Sequence, residues 1–478
     1  MNEHDSERIA GDLYAEGYER TDTQEKADVI VLNTCCIREN ADTKLYGHLG
    51  NLKKLKDQKP DLQIAVGGCL AQKDRDLLLE RAPHVNAVFG THNIGHLTQL
   101  LHDAHREGHG VIEILDGPSE DEAFPSALLV RPELPYAAWV TVQVGCDNSC
   151  AFCIVPAVRG PEQSRPFGDL VREVYDLARK GTTEVTLLGQ NVNSYGRDLT
   201  LRMRSGELAV TETLCGERWA NDPARRARPL FGDLLVAVGA IPGIRRVRYT
   251  SPHPKDLRQE TIDAMANTPA VCEHLHLPLQ SGSDTVLSAM RRGYTTERYL
   301  ERLYRARREI DDLAVTTDII VGFPGESEGD FAKTLELAAE VEYDTAFTFI
   351  FSPRPGTKAA SMQEKFVAQD VVQDRFSRLK AVVDRSSLRK HQERIGRLEE
   401  VVVEGLSRQN SSVLSARTRQ GKLVHFSSPG EQLQPGRYGS VMITGAGAHH
   451  LYGDLVELED PPVAPTRRPL NVPLLVSQ

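Results

Sequence analysis

The chain has 478 residues, room for two or three domains, and its 40% apolar and 26% charged residues are an ordinary balance for a globular protein. A net charge of −10 argues against a protein that coats nucleic acid through bulk charge, while leaving room for a local surface that reads one RNA. Met1–Leu13 is charged without an apolar run, and no stretch is apolar enough to span a bilayer, so a cytoplasmic chain without membrane contact is expected. In that reducing compartment its eight cysteines more often bind metal or do chemistry than form disulfides.

Taken in chain order, the apolar run 27–34 ends at Cys35 and reads as a buried parallel strand. A helical stretch over 38–56 stops before Pro60, and the strand 63–66 runs into Gly67-Gly68-Cys69. A further helix from Gln72 and a short strand ending at Phe89-Gly90 complete the alternation. The pattern predicts a doubly wound α/β domain over 1–105, with Cys35 and Cys69 at neighbouring strand ends. Such a domain normally opens with a strand, whereas this chain opens with a helix-like run, so a strand upstream of Met1 is expected. Residues 106–131, acidic and proline-bearing, read as a linker.

Over 132–392, strands are expected at 139–144, 184–188, 245–250, 274–279, 316–321 and 346–351, separated by helices: a partial or full (β/α) barrel. The arginine-rich stretch 197–229 lacks periodicity and reads as an inserted surface loop. A helical connector leads to 393–459, where short strands at 398–406, 413–416, 423–426 and 440–443 suit a small β-barrel. That barrel is separate in sequence from every cysteine group, so removing it from about Arg394 is expected to spare cofactor chemistry. The proline-rich tail 460–478 is expected to be disordered.

Directly after the first barrel strand stand Cys146, Cys150 and Cys153, a CxxxCxxC spacing. Three thiolates this close must converge on one centre if they bind metal. Structural zinc wants four protein ligands, and no fourth cysteine lies nearby. On a four-iron cluster, three thiolates leave one iron open for a ligand. Unliganded cysteines, or zinc completed by a distant histidine, remain alternatives. The other strand ends carry polar or glycine-rich turns that suit ligand contacts: Gly189-Gln190-Asn191, Ser251-Pro252-His253, Gln280-Ser281-Gly282-Ser283, Gly322–Glu326 and Ser352–Thr357.

The cysteine loop, with Phe152 beside its last cysteine, and the barrel pattern resemble the radical S-adenosylmethionine superfamily. The resemblance implies a 4Fe–4S cluster on Cys146, Cys150 and Cys153, whose open iron chelates S-adenosylmethionine and whose electron releases a 5′-deoxyadenosyl radical. It makes Gln190, Asn191, Ser281, Gly322 and Gly325 candidate cofactor contacts. Asn33-Thr34-Cys35, Ile37-Arg38-Glu39-Asn40 and Gly67-Gly68-Cys69 resemble the methylthiotransferase family within it. That likeness implies a second, auxiliary 4Fe–4S cluster held by Cys35, Cys69 and a third cysteine in a Gly-Cys-Gln-Met-Asn segment. The sequence begins at Met1-Asn2 and lacks this third ligand. Cys36 reads as a bystander, and Cys215 and Cys272 as structural.

Cys35–Glu39, Val158–Pro166 and Arg354–Thr357 are most similar to the branch that methylthiolates N(6)-isopentenyladenosine at position 37 of tRNA. The other branches would modify an aspartate of a small-subunit ribosomal protein or threonylcarbamoyl-adenosine in tRNA. A non-catalytic, zinc-containing RNA-binding protein is the reading from a different class. The C-terminal barrel resembles a TRAM module, with Arg408, Arg417, Arg419, Lys422 and Arg437 as its basic residues. Implied partners are a tRNA anticodon stem-loop and a flavodoxin- or ferredoxin-like electron donor. The sulfur source stays open, and a monomer is expected.

Overall fold

Apolar, partly β-branched runs form four strands near the N-terminus: β1 (Val29–Thr34), β2 (Gln63–Gly68), β3 (Ala87–Phe89) and β4 (Val111–Glu113). They pair in parallel in the order β1-β2-β3-β4. The computed structural model describes residues 1–34, 39–115, 134–407, 410, 412–427 and 434–459. Successive strand residues face opposite ways, as the two-residue period requires. Ile64 and Val66 pack against Leu45, Leu49 and Leu78 on one face, and Ala65 and Phe89 against Ile9, Leu97 and Leu101 on the other. Helices therefore cover both faces. The strand order, however, runs straight across the sheet without the reversal of a doubly wound topology, because each connection steps to the adjacent strand in the same direction. β4 also lies inside the stretch read as a linker, held to the sheet by its pairing with β3. Residues 116–133 and 460–478, the rest of that linker and the expected disordered tail, lie outside the described residues.

The central region is built on β5 (Ala137–Thr141), a two-stranded ribbon of β6 (Gln143–Val144) with β7 (Gln163–Ser164), then β8 (Glu184–Leu188), β9 (Arg246–Tyr249), β10 (His274–His276), β11 (Ala314–Val321) and β12 (Thr345–Ile350). β5-β8-β9 and β10-β11-β12 are parallel sheets, joined by a parallel bridge between Val247 and Val271. Among the described residues β12 does not pair with β5, so the barrel is open on that side. Val140, Val185, Leu187, Val247, Leu275 and Ile319 are fully buried at its centre.

The 197–229 stretch is not a surface loop. It folds into three short helices, Arg197–Ser205, Glu212–Cys215 and Glu217–Ala220, that put Leu199, Met203, Cys215 and Trp219 into the barrel's core. The Trp219 indole N–H donates to the Arg226 carbonyl at 3.0 Å, and Arg218 and Arg228 both pair with Asp233. Arg218 and Arg228 are thus structural partners, which hid the helices from a periodicity argument.

Helix Gln369–Gln392 packs Val372, Leu379 and Val383 on the core and leads to β13 (Leu398–Leu406), β14 (Leu414–Thr418), β15 (Leu423–Ser427), β16 (Tyr438–Ala446) and β17 (Leu451–Leu458). These close a barrel in the order β13-β14-β15-β17-β16, filled by Val401, Val403, Ala416, Val424, Phe426 and Val441. Separate in sequence, this barrel is fused to the core in space. The fully buried Arg246 donates to Glu400 at 2.7 Å and to the Arg417 carbonyl at 2.8 Å. Arg248 donates to the carbonyls of Thr418 and Arg419, and Lys422 pairs with Asp344 at 2.6 Å. Of the basic residues assigned to RNA, Arg417 binds Glu404, Arg419 binds Glu273 and Arg437 holds the Glu459 carbonyl. Lys422 is likewise taken by Asp344, and Arg408 lies outside the described residues. These cations dock and brace the barrel.

Candidate active site at the mouth of the barrel

The cysteine loop leaves β6 through Gly145, whose backbone is left-handed (φ +80°) and where a Cβ would stand 1.9 Å from the Pro161 carbonyl oxygen. Only glycine allows this return, which lets the Cys146 N–H reach the Gly160 carbonyl at 3.2 Å. Ala151 then ties the loop to two others: its N–H donates to the Met290 carbonyl, and its carbonyl accepts from Ala359. Phe152 packs with Val286, Met290 and Phe323. The loop is held from three sides.

Each thiol has a donor beside it. The backbone N–H of Asn148 points at the Cys146 sulfur, and that of Val155 reaches the Cys153 Sγ at 3.4 Å. Arg292 Nη1 donates to the Cys150 Sγ at 3.3 Å. Burial pushes the Cys146 thiol up to about 11 and raises Cys153 as well, so in the empty protein these groups keep their protons. Among the described residues no three His, Cys, Asp or Glu side chains close around a single-ion position. Three thiols, each with an N–H donor aimed at sulfur, suit a 4Fe–4S cluster chemically.

Helix Val155–Arg159 starts just after Cys153 and, over about 9 Å of rise from that cysteine, carries Arg159 to Cys69. Arg159 is buried, bonds the Cys69 side chain and pairs with Asp5 at 2.6 Å. Cys69 is buried at the start of helix Cys69–Asp74, after β2. Cys35, its expected companion, and Cys36 lie outside the described residues. Thr34 and Gly68, the residues preceding Cys35 and Cys69, are paired across the sheet. Cys215 and Cys272 are buried away from both groups, in the inserted helices and just before β10.

Of the other strand-end residues, Gln190 and Asn191 stay at the mouth. Each keeps a buried side-chain oxygen without a partner, while Asn191 Nδ2 donates to Asp256 at 2.9 Å. Ser281, Gly322 and Gly325 each make a bond within the protein. Ser281 turns to Thr334, and the Gly325 N–H donates to the Lys365 carbonyl. The Gly322 N–H donates to Glu326, and a Cβ there would strike Val372.

The structure adds residues that were named only as parts of turns or not at all. Gln143 and Gln280 also bury side-chain oxygens without partners, and Ser251 and Gln280 hold left-handed backbone at the ends of β9 and β10. His253 is buried, its Nδ1 accepts the Lys255 N–H at 3.1 Å, and burial with the nearby cations Arg292, Lys255 and Arg302 pushes its pKa to about 2. The ring is therefore neutral with its proton on Nε2, a buried donor without a partner. Glu162, bonded by Ser194 at 2.6 Å, is raised to about 7 by burial, against the Ser194 bond and with the nearby Asp198, Asp147 and Asp256. Buried polar atoms without partners at four strand-end glutamine and asparagine side chains and at His253 are groups that a polar ligand would satisfy.

The model of the Radical SAM superfamily matches residues 140–338, and that of the Uncharacterized protein family UPF0004 matches residues 1–90. The second match lies at the N-terminal end and not on the C-terminal barrel, so the assignment of that barrel to the TRAM family is withdrawn. A radical SAM core and a C-terminal β-barrel stand. The chain is 49% identical over 459 residues to tRNA-2-methylthio-N(6)-dimethylallyladenosine synthase 1 of Mycobacterium marinum, covering 95% of this chain and 84% of that protein. It is 50% identical to the synthase of Acidothermus cellulolyticus (95% and 86%) and 49% to that of Salinispora arenicola (95% and 86%). Among solved structures, the radical S-adenosylmethionine methyltransferase TsrM from Kitasatospora setae aligns at 15% identity and a TM-score of 0.49, covering 74% of this chain and 70% of that one.

Proposed function

Because the chain belongs to the radical S-adenosylmethionine methylthiotransferases, in the branch of the tRNA-2-methylthio-N(6)-dimethylallyladenosine synthases, we propose that it converts N(6)-isopentenyladenosine at position 37 of tRNA to its 2-methylthio derivative. Identity near one half along 95% of the chain carries this reading, since it spans the cysteine loop, the barrel and both flanking domains.

Cys146, Cys150 and Cys153 are the ligands of the cluster at the barrel mouth, and Gln190 and Asn191 line the cavity where S-adenosylmethionine and the adenine meet. When bound, that cluster supplies the electron that cleaves S-adenosylmethionine to the radical needed at an adenine C–H bond, which acid–base chemistry does not activate. Cys35 and Cys69 serve a second 4Fe–4S cluster, the sulfur-carrying group of the reaction. The pairing of Thr34 with Gly68 and the short helix linking Cys153 to Arg159 at Cys69 support their cooperation. The protein's own part is to tie the cysteine loop to its neighbours, present unpaired polar atoms to the ligands and keep water out. Partners are the tRNA anticodon stem-loop and a one-electron donor of flavodoxin or ferredoxin type. No helix among the described residues is long and apolar enough to cross a membrane.

Nucleoside analysis of bulk tRNA from a strain lacking the gene tests the reading. The 2-methylthio nucleoside should vanish while N(6)-isopentenyladenosine accumulates. An unchanged nucleoside profile would overturn it.

A further inference from the structure

The Cys150 sulfur accepts a hydrogen bond from a cation that the sequence motifs do not single out. Arg292 is 7% exposed, and its Nη1 lies 3.3 Å from the Cys150 Sγ. Its Nε donates to the Tyr294 hydroxyl at 3.3 Å, and that hydroxyl in turn donates to the Leu279 carbonyl at 2.9 Å. The loop that carries it is fastened to the cysteine loop by the bond from the Ala151 N–H to the Met290 carbonyl. Guanidinium and thiol are therefore held together by backbone on one side and by a phenol on the other.

We propose that Arg292 is a positioning residue that sets the reduction potential of the cluster at the barrel mouth. The proposal rests on the reading of Cys146, Cys150 and Cys153 as its ligands. Reduction adds one electron, and with it one negative charge, to a centre already bound by three thiolates. The electron comes from a one-electron flavin or iron–sulfur protein, and no bond is made or broken in this step. A buried, permanently charged guanidinium bonded to one of those sulfurs favours the reduced state, because low-dielectric surroundings screen it little. Arg292 thus makes the cluster easier to reduce. A lysine keeps the charge but loses the planar fork, so it should recover only part of the effect.

The test is an anaerobic redox titration of reconstituted protein without S-adenosylmethionine, followed by electron paramagnetic resonance, with iron counted in every sample. Arg292→Gln should lower the midpoint by at least about 59 mV, a tenfold change in the one-electron equilibrium, with Arg292→Lys between it and the wild type. Tyr294→Phe, which frees Arg292 without removing it, should shift the midpoint in the same direction by less. It decides the matter if Arg292→Gln cannot be loaded with iron. Full iron content with wild-type midpoints in these variants would overturn the role of Arg292 and leave the cluster assignment intact. Absence of a cluster in the wild type itself would instead remove the reading on which the proposal rests. If Arg292 serves only to hold the S-adenosylmethionine carboxylate, cofactor affinity falls while the midpoint stays put, which also overturns it.

Discussion

A buried thiol that is neutral when empty must release its proton to bind iron, so loading the barrel mouth should acidify the solution and proceed faster as pH rises. Replacing any one of Cys146, Cys150 and Cys153 by alanine is expected to reduce S-adenosylmethionine cleavage to background, measured as 5′-deoxyadenosine under dithionite. A variant that cleaves at the wild-type rate would exclude that cysteine as a ligand. His253 makes a milder demand. Its Nε2–H lacks a protein partner, so a bound ligand should accept it. His253→Ala is expected to lower kcat/KM for tRNA about tenfold, roughly the worth of one buried hydrogen bond, and His253→Gln, which keeps a donor, should recover part. Equal kcat/KM in His253→Ala would place no ligand atom there.

At the scale of elements, the inserted helices and the long helix Gln369–Gln392 give the sharpest tests. Trp219 is fully buried among barrel residues, so Trp219→Ala should cost about 3–5 kcal/mol in urea unfolding. A surface loop would lose no more than about 0.5 kcal/mol. His391, near that helix's end, donates to the Gly447 carbonyl at 2.8 Å, and burial, with Lys422 nearby, pushes its pKa down to about 4. Between pH 6.5 and about 4 the unfolded chain binds the proton more readily than the folded one. The stability His391 contributes is therefore complete above pH 6.5 and declines as pH falls, by up to about 1.4 kcal/mol per unit. His391→Gln should flatten that slope, and an unchanged slope would show that the imidazole is not the titrating group.

These elements also mark what was legible beforehand. All six core strands were visible as apolar runs, and the cysteine loop as a spacing, because hydrophobic period and ligand spacing are local signals. The inserted helices were not, since their short turns are held by arginine–aspartate pairs to Asp233 outside the window. β17 was missed because its inward positions include Gly453, which carries no apolar side chain, and it is recruited by pairing with β15 and β16. Among the cofactor candidates, the sequence could not show that Gly322 also packs under Val372, because that neighbour lies fifty residues further along the chain.

For the whole molecule, the C-terminal barrel is a part of the core's support. Truncation before β13 would take the Glu400 carboxylate from Arg246, the Thr418 carbonyl from Arg248 and the Lys422 ammonium from Asp344, and would open to water the face of the core that the barrel covers. A chain ending near Arg394 is therefore expected to unfold at lower urea and to lose cofactor cleavage along with tRNA binding. A stable, fully cleaving truncation would show the barrel to be an appendage, as its separateness in sequence suggested.

The central assignment joins the three-thiol loop to one nucleoside, and a single anaerobic assay addresses both. Iron-loaded protein is mixed with S-adenosylmethionine, dithionite and tRNA bearing N(6)-isopentenyladenosine at position 37, and the digested tRNA is analysed by mass spectrometry. The expected result is the 2-methylthio nucleoside, accompanied by 5′-deoxyadenosine and absent from the Cys146, Cys150 and Cys153 variants. Release of 5′-deoxyadenosine from a fully loaded protein that leaves the isopentenyladenosine unmodified would contradict it.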